Sequence, residues 1–130
     1  MKNTRLFLKS MAVLLMISIF CGSAVAQDKN LVIRIAKITI DSAQLENYKV
    51  ALKEGIETAV RVEPGVLTLY AVADKNNPTH ITVFEIYANA DAYKAHIETP
   101  HFKKYKNAVK ELVKSLELSD NVPIALEAKK

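Results

Sequence analysis

The amino-acid sequence predicts an α+β fold in which a four-stranded antiparallel sheet carries helices on one face. The chain has 130 residues, of which 50% are hydrophobic and 25% charged, and this balance suits one globular domain. Runs of β-branched residues alternate with amphipathic helical stretches in the order β-α-β-β-α-β. This order is the split β-α-β plan of ferredoxin-like folds.

Residues 1–26 precede this pattern and resemble a secretory signal peptide. They begin with a basic region that contains Lys2, Arg5 and Lys9. The apolar run Met11–Cys21 follows, and it is far shorter than the ~20 residues that a membrane-spanning helix requires. Ala24-Val25-Ala26 then supplies the small-x-small pattern that signal peptidase accepts. We therefore expect cleavage after Ala26, export to the periplasm or beyond the cell, and one domain over residues 27–130.

This leader carries most of the charge imbalance. The whole chain has a formal net charge of +4, but residues 27–130 hold 15 basic and 14 acidic side chains. A nearly neutral domain lacks the basic surface that binds nucleic acid or an anionic membrane. We therefore expect no nucleic-acid partner, and no membrane association once the leader is removed.

Cleavage would also remove Cys21, the only cysteine, and all three methionines, and the chain has no tryptophan. The remaining domain then excludes disulfides, thiol catalysis and thiolate metal sites. A lipoprotein modified at Cys21 is the alternative, but the bulky Phe20 before it does not fit a lipobox. A small domain without disulfides needs a well-packed core or a partner chain.

The first half of the domain predicts one strand and one long helix. β-branched residues dominate Leu31–Ile40, which is typical of a strand. Asp41-Ser42 offers a helix N-cap, and apolar residues then recur at three- and four-residue steps over 43–62. Glu63-Pro64-Gly65 ends this helix.

The next two segments, Val66–Ala73 and His80–Tyr87, predict strands that pair as a hairpin across the polar turn 74–78. In all three strands, apolar residues occupy both sets of alternating positions. The first strand, for example, carries Leu31, Ile33 and Ile35 on one face and Val32, Ala36, Ile38 and Ile40 on the other. The helices of one chain cover only one face of the sheet, so we expect a homodimer in which sheet packs against sheet.

The last part of the chain predicts a broken helix and a final strand. Asn89 can cap a short helix over 90–97, and Thr99 followed by Pro100 starts a second helix. The apolar stripe of this second helix comprises Phe102, Tyr105, Val109, Leu112, Val113 and Leu116. The final strand is expected from Val122 to about Leu126, at a sheet edge because it contains Pro123.

Three segments of the domain carry a recognisable pattern. They are Glu63-Pro64-Gly65-Val66-Leu67, Phe84-Glu85-Ile86-Tyr87 and the stretch from Ala92 to Phe102, which reads AYKAHIETPHF. Together they resemble the antibiotic biosynthesis monooxygenase (ABM) family, and in particular its quinol monooxygenase-like branch. The resemblance extends over residues 30–118, and the stretch from Glu85 to Phe102 is its most specific part.

This resemblance implies a dimeric α+β barrel with a small cavity between sheet and helices in each subunit. Many ABM proteins oxidise phenolic or quinol-like compounds with dioxygen and need neither a metal nor a flavin. The family also includes haem-degrading enzymes, an isomerase-type branch that processes signal molecules, and members without demonstrated activity. The haem-degrading branch relies on an Asn, a Trp and a His, so the missing Trp disfavours haem degradation here.

Cofactor-free oxygenation needs a base, because a phenolate donates an electron to dioxygen more readily than the neutral phenol. His96 lies in the ABM-like segment and is a candidate base or hydrogen-bond donor to the substrate. His101 lies in the first turn of the following helix, where the helix dipole favours a neutral imidazole. For both, a purely structural role is the alternative, and His80 is expected at the surface.

Four further residues are candidates for the site. Glu85 lies in an apolar strand pattern, where it takes part in catalysis, pairs with Arg34 or Lys37, or contacts the partner subunit. Three tyrosines are candidates for binding an aromatic substrate, namely Tyr70, Tyr87 and Tyr105. The alternative for each tyrosine is ordinary packing in the core or in the dimer interface.

We expect no bound metal and no other cofactor. His96 and His101 are five residues apart across a helix break, and no carboxylate motif accompanies them. A glycine-rich phosphate loop is absent, since residues 27–130 contain only Gly55 and Gly65. The sequence also contains no hydrolase signature.

The function predicted from these residues and from the resemblance is oxidation of a small quinol or phenolic compound by dioxygen. In that reaction His96 or His101 would accept the phenolic proton, Tyr70 and Tyr87 would pack against the ring, and Glu85 would position the histidine. The alternative is a non-catalytic dimer that binds a small hydrophobic ligand in the same cavity. A third reading is a purely structural dimer with a filled core.

Overall fold

The computed structural model of the protein describes residues 30–130, so the predicted signal peptide and its cleavage site lie outside the described residues. Four strands and three helices follow one another along this part of the chain. The strands are β1 (Val32–Ile40), β2 (Val66–Ala73), β3 (His80–Tyr87) and β4 (Val113–Asn121). The helices are α1 (Leu45–Val62), preceded by a 3₁₀ turn at Ser42–Gln44, α2 (Ala90–Glu98) and α3 (Pro100–Val109).

The strands form one antiparallel sheet in the order β2-β3-β1-β4. All three helices lie on one face of it, where α1 packs against α3 and β2, and α2 contacts β2 and β3. The predicted α+β, ferredoxin-like plan is therefore confirmed. None of the helices in residues 30–130 is long and apolar enough to cross a lipid bilayer.

The start and the end of α1 follow from capping and breaking residues. Asp41 Oδ1 accepts a hydrogen bond from the backbone N–H of Ala43 (3.0 Å), which starts the 3₁₀ turn before the helix. At the other end, the last helical bond runs from the Glu63 N–H to the Ala59 carbonyl (2.9 Å). Pro64 disfavours the helical conformation for the residue before it, and Glu63 adopts φ −104° and ψ 109°. Glu63 therefore leaves the helix direction where the chain turns toward β2.

The break between α2 and α3 also lies just before a proline. Thr99 is extended, as the following Pro100 requires, and Pro100 occupies the first position of α3. The Thr99 hydroxyl accepts from the Phe102 N–H (3.2 Å) and donates to the His96 carbonyl (2.7 Å). One side chain thus closes α2 and opens α3. Both predicted caps, Asn89 for α2 and Thr99 for α3, are confirmed.

The predicted C-terminal secondary structure is wrong. The sequence predicts a helix through Leu116 and a strand at 122–126, whereas α3 ends at Val109 and β4 covers 113–121. The helical spacing of the apolar residues before Leu116 overlaps with an alternation of Leu116 and Leu118, which is the period of a strand. Pairing with β1, which would otherwise be an edge strand, decides in favour of the strand.

The two faces of the sheet differ in what covers them. The helical face holds two clusters of buried residues, Ala36, Ile38, Ile40, Tyr48, Ile81, Val83 and Val109 in one and Ala59, Val66, Leu69 and Tyr87 in the other. On the opposite face, Tyr70, Phe84 and Ile35 pair across β2, β3 and β1 to form one apolar row. No helix of residues 30–130 covers this face. Tyr70 and Val72 of β2 are 67% and 62% exposed.

Candidate active site

A cavity of about 340 Å³ lies between the sheet and the helices. Its sheet wall consists of inward-facing residues of β1 and β3, among them Ala36, Val83 and Tyr87. Leu116 and Leu118 of the edge strand β4 also line it and are 45% and 47% exposed, so the cavity is open on this side. The volume is within the range of roughly 300–1,000 Å³ that is usual for small-molecule sites.

Glu63, His96 and His101 form a polar cluster, and the two histidines of this cluster line the cavity. His96 Nδ1 lies 2.9 Å from Glu63 Oε2, and His101 Nε2 lies 2.6 Å from the same oxygen. The side chains of His96, Glu63 and His101 are 8%, 12% and 18% exposed. Because a carboxylate oxygen only accepts, each of these two nitrogens donates a hydrogen. In a neutral ring the other nitrogen, Nε2 of His96 or Nδ1 of His101, is then left to accept a proton.

Two breaks in helical structure bring the three side chains together. Residues that are five positions apart on a continuous helix point about 140° away from each other. The break at Thr99 removes this constraint, so His96 in the last turn of α2 and His101 in the first turn of α3 approach one carboxylate. Glu63 reaches both rings because Pro64 turns it away from α1.

Aromatic rings surround His96 and restrict its orientation. The centre of its imidazole ring lies 5.2 Å from that of Tyr87 and 4.9 Å from that of Phe102. Both distances are those of aromatic pairs in contact. The His96 ring is therefore held by packing as well as by its hydrogen bond to Glu63.

Glu85 lies on the sheet wall of the cavity and accepts a hydrogen bond from the Tyr87 hydroxyl (2.9 Å). The two side chains are neighbours because residues i and i+2 of a strand point to the same face. Burial raises the pKa of Glu85, and the Tyr87 hydrogen bond and the charges of His96 and Arg34 only partly offset this effect. Burial, together with the Glu85 charge, also raises the pKa of Tyr87, so the phenol remains a hydrogen-bond donor.

Arg34, one of the two cations expected to pair with Glu85, pairs instead with Asp120 of β4. Arg34 lies opposite Glu85 in the sheet register, but its Nε is 2.9 Å from Asp120 Oδ1. This nitrogen has no hydrogen-bond partner among the described residues, so its contact with Asp120 is an ion pair. The guanidinium carbon also lies 4.6 Å from the centre of the Tyr93 ring, in cation–π contact. Lys37, the other expected cation, is exposed on the opposite face, and within residues 30–130 neither cation forms an ion pair with Glu85.

The three tyrosines predicted to bind substrate lie in different environments. Tyr87 and Tyr105 line the cavity, and the Tyr105 hydroxyl is 2.8 Å from that of Tyr48. Burial raises the pKa of both Tyr48 and Tyr105. Tyr70 does not line this cavity, because Leu69 takes the inward-facing position on β2. This corrects the expected position of Tyr70, which the sheet separates from the cavity.

His80 lies outside the site, as the sequence predicts. It is exposed at the start of β3, and its Nδ1 is 3.2 Å from Nδ2 of Asn77 in the hairpin turn. His80 does not line the cavity. It therefore offers a matched control for substitutions of the two cavity histidines.

Glu63 is the site residue that the sequence-based prediction misses. In the sequence it belongs to the turn that ends α1, and it lies 33 and 38 positions away from the two histidines that it contacts. No local spacing rule relates residues so far apart. The available signal is that Glu63 begins one ABM-like segment and both histidines lie in another.

Known proteins share this fold and much of this sequence. The chain matches the model of the antibiotic biosynthesis monooxygenase family over residues 31–108, which is more than half of its length. The chain belongs to the ABM family. Membership confirms the resemblance noted in the sequence and points to monooxygenase chemistry in this ABM protein.

Solved structures agree with this assignment. A candidate antibiotic biosynthesis monooxygenase from Bacteroides thetaiotaomicron is 50% identical to the ABM protein, with a TM-score of 0.76 over 79% of this chain and 98% of that chain. A candidate monooxygenase from Lactobacillus acidophilus is 32% identical, with a TM-score of 0.71 over 72% of this chain and 44% of that longer chain. A candidate family member from Nitrosomonas europaea shares the fold at 20% identity, with a TM-score of 0.69 over 73% of this chain and 91% of that chain. No functionally curated protein matches the chain.

Proposed function

We propose that this ABM protein is a monooxygenase that oxidises a small quinol or phenolic compound with dioxygen. The substrate ring lies in the cavity against Tyr87 and Tyr105, and His96 removes its hydroxyl proton. The substrate supplies all the electrons, so the reaction requires no flavin or haem. The observation that carries the proposal is that His96 lines a cavity of about 340 Å³ and is paired with the buried carboxylate of Glu63.

The hydrogen bonds of His96 support its role as the base. A histidine accepts a substrate proton at one ring nitrogen when a carboxylate stabilises the positive charge that develops at the other. Nδ1 of His96 donates to Glu63, so Nε2 is its proton acceptor. His101 shares the same carboxylate oxygen and is the second candidate base, but its side chain is more exposed. A positioned base of this kind contributes about 10²–10⁴-fold to the rate.

The reaction balances with the substrate as the sole reductant. After His96 has taken the hydroxyl proton, the quinol anion transfers one electron to dioxygen, and the two radicals combine to form a carbon–oxygen bond. The resulting peroxide anion takes the proton back from the His96 imidazolium. Loss of water then breaks the O–O bond and leaves one oxygen atom on the ring as a hydroxyquinone. The apolar wall of the cavity favours the charge transfer by excluding water from the reacting atoms.

We also propose that the protein acts as an exported homodimer. Support for the dimer comes from the apolar row Tyr70, Phe84 and Ile35, which no helix of residues 30–130 covers, and from the common dimerisation of ABM-fold proteins. Support for export comes from the sequence of residues 1–26 alone. The intact mass of the protein recovered from an exporting host tests this part, because a chain that begins at Gln27 is expected.

Oxygen consumption on a panel of substituted hydroquinones tests the proposed reaction. Uptake above the uncatalysed background is expected for at least one compound, with the corresponding hydroxyquinone as product. His96→Ala should lower the rate by about 10²-fold or more, the lower limit for loss of a general base. His80→Ala removes an exposed imidazole outside the cavity and should leave the rate unchanged.

Two results would contradict this proposal. Unchanged turnover in a folded His96→Ala protein would remove His96 as the base. Saturable stabilisation of the protein by a quinol, measured as a thermal shift without any oxygen uptake, would favour the alternative of a non-catalytic binding protein.

A further inference from the structure

We propose that Glu63, His96 and His101 form a binding site for a divalent transition-metal ion. One ligand atom of each side chain lies within 4.8 Å of the corresponding atoms of the other two. Two imidazoles and one carboxylate are a ligand set that holds zinc in hydrolytic enzymes and iron(II) in non-haem oxygenases. This inference departs from the sequence-based expectation of no metal, which rested on the absence of a carboxylate near the two histidines.

The geometry of the cluster is close to that of a metal site. Ligand atoms arranged tetrahedrally around zinc at about 2.0–2.2 Å are roughly 3.4 Å from one another. The two nitrogen-to-oxygen distances in the cluster, 2.9 Å and 2.6 Å, are slightly shorter than this value. All three ligand atoms lie within 4.8 Å of one another, so an ion at their centre requires the two nitrogen-to-oxygen contacts to lengthen by about 0.5–0.8 Å.

The charge balance of the cluster favours a cation. The Glu63 side chain is only 12% exposed, and among the described residues its ionic partners are the two histidines, which are charged only when protonated. A buried carboxylate without a fixed positive partner is costly. Glu63 also follows the last turn of α1, where the negative end of the helix dipole adds to its charge. A divalent ion would offset both the charge of the buried carboxylate and the negative end of the helix dipole.

The position of the cluster leaves room for a further ligand. His96 and His101 line the cavity, so an ion bound by three protein groups would have open coordination positions on the cavity side. Such an ion acts as a Lewis acid toward an oxygen atom of a small molecule. A phenol or quinol hydroxyl has the right chemistry for that position.

A metal ion and protons compete for the same two imidazole nitrogens of the cluster. In the hydrogen-bonded cluster, His96 Nδ1 and His101 Nε2 each donate a hydrogen to Glu63. Metal binding requires each of these nitrogens to lose that hydrogen, by release or by transfer within the ring. Ion binding can be measured directly without any substrate. Such measurements report on the metal site independently of the oxidation proposed above.

Titration of the chelator-treated, purified protein with Co²⁺ and Zn²⁺ tests the site. We expect one equivalent of Co²⁺ to produce visible absorption bands that saturate in the micromolar range, and Zn²⁺ to displace it with matching calorimetric stoichiometry. Glu63→Gln and His101→Asn should each weaken binding by about 10- to 100-fold or more, since even second-shell changes have effects of this size. His80→Asn should bind as the unmodified protein does.

His101→Asn is the decisive variant, because His101 is the more exposed of the two ligating rings and its loss is best tolerated by the fold. Circular dichroism establishes that it is folded. Absence of saturable binding at millimolar Co²⁺ and Zn²⁺ would overturn the proposal. Unaltered binding in folded His101→Asn, or loss of binding in His80→Asn, would also overturn it, because the ion would then lie elsewhere.

Discussion

Glu63 and Glu85 are both largely buried near the cavity, but their surroundings give them different chemistry. Glu63 accepts hydrogen bonds from two imidazoles, and each imidazole becomes positively charged when it is protonated. Glu85 accepts from the Tyr87 phenol, which stays neutral, and its cross-strand neighbour Arg34 is paired with Asp120. The first environment suits a carboxylate that supports a base or an ion. The second penalises negative charge.

Glu85→Gln should therefore stabilise the fold at neutral pH. Burial raises the pKa of Glu85, so the native state binds its proton more tightly than the unfolded chain does. This stabilisation is complete below the ordinary pKa of a glutamate and is lost as pH rises through the raised pKa. The amide resembles the protonated acid and can still accept a hydrogen bond from Tyr87. The variant should therefore be as stable as the unmodified protein at low pH and more stable than it at neutral pH.

Urea unfolding at several pH values between 4 and 7 measures this difference. Glu111→Gln, at an exposed position, is the matched control and should follow the curve of the unmodified protein. A Glu85→Gln protein that is less stable than the unmodified one at pH 7 would contradict the prediction. That result would mean that a cation holds Glu85 ionised.

Individual residues of the site were predictable only where local sequence carries the signal. His96 and His101 lie in one short segment, and strand alternation places Glu85 and Tyr87 on one face, which is the cavity side. Glu63 was not predictable in this way, since its contacts depend on how α1 docks beside α2 and α3. Tyr70 was misplaced because alternation alone does not tell which face is the inner one.

At the level of elements, two proline-induced breaks determine where the site forms. Glu63 and Thr99 each precede a proline and are each extended, so one break ends α1 and the other separates α2 from α3. The turn after α1 then lies beside Ala92 of α2, and the Ala88 N–H, just before this helix, donates to the Gly65 carbonyl (2.9 Å). The position of α2, and therefore of His96, depends on this contact.

Gly65→Ala should disturb this contact. A Cβ atom at Gly65 would lie 2.4 Å from the Cβ of Ala92 in α2, which is far closer than two carbon atoms pack. The helix or the turn must then move, at a cost of about 1–3 kcal/mol, as for other overpacked sites. Because the movement separates Glu63 from His96, the variant should also lose oxidation activity.

Gly55→Ala is the contrasting change, made in the interior of α1. Its Cβ would lie 3.5 Å from the Cβ of Tyr105, an ordinary contact, and alanine favours a helix over glycine by about 1 kcal/mol. Thermal and urea unfolding should therefore show Gly55→Ala to be more stable than the unmodified protein and Gly65→Ala to be less stable. Equal stability of all three proteins would show that α2 does not depend on this close approach.

Most elements were predictable because their boundaries are encoded locally. The strands β2 and β3 have the predicted bounds, and the caps at Asn89 and Thr99 lie where the sequence indicates. The strand β4 was not predictable, because its apolar residues also fit a helical stripe. Only pairing with β1 distinguishes the two, and that interaction joins segments about 80 positions apart in the sequence.

For the whole molecule, the two faces of the sheet lead to different expectations. The inner face is covered by helices and contains the cavity. The outer face exposes Tyr70 and Val72 of β2 beside Phe84 of β3. Exposed apolar side chains in a contiguous patch mark interaction surfaces. The proposed homodimer would bury this patch against its symmetry-related copy and leave both cavities on the outside of the dimer.

Val72→Lys should weaken that dimer. The side chain is 62% exposed on the outer face, so a lysine would place a charge in the apolar interface of each subunit. Val50 on α1 is similarly exposed, at 68%, and Val50→Lys makes the same change on the helical side. Light scattering over a concentration series should give at least a tenfold higher dissociation constant for Val72→Lys, equivalent to about 1.4 kcal/mol, and no change for Val50→Lys. A monomeric unmodified protein would refute the dimer itself, whereas a dimer weakened only by Val50→Lys would place the interface on the helices.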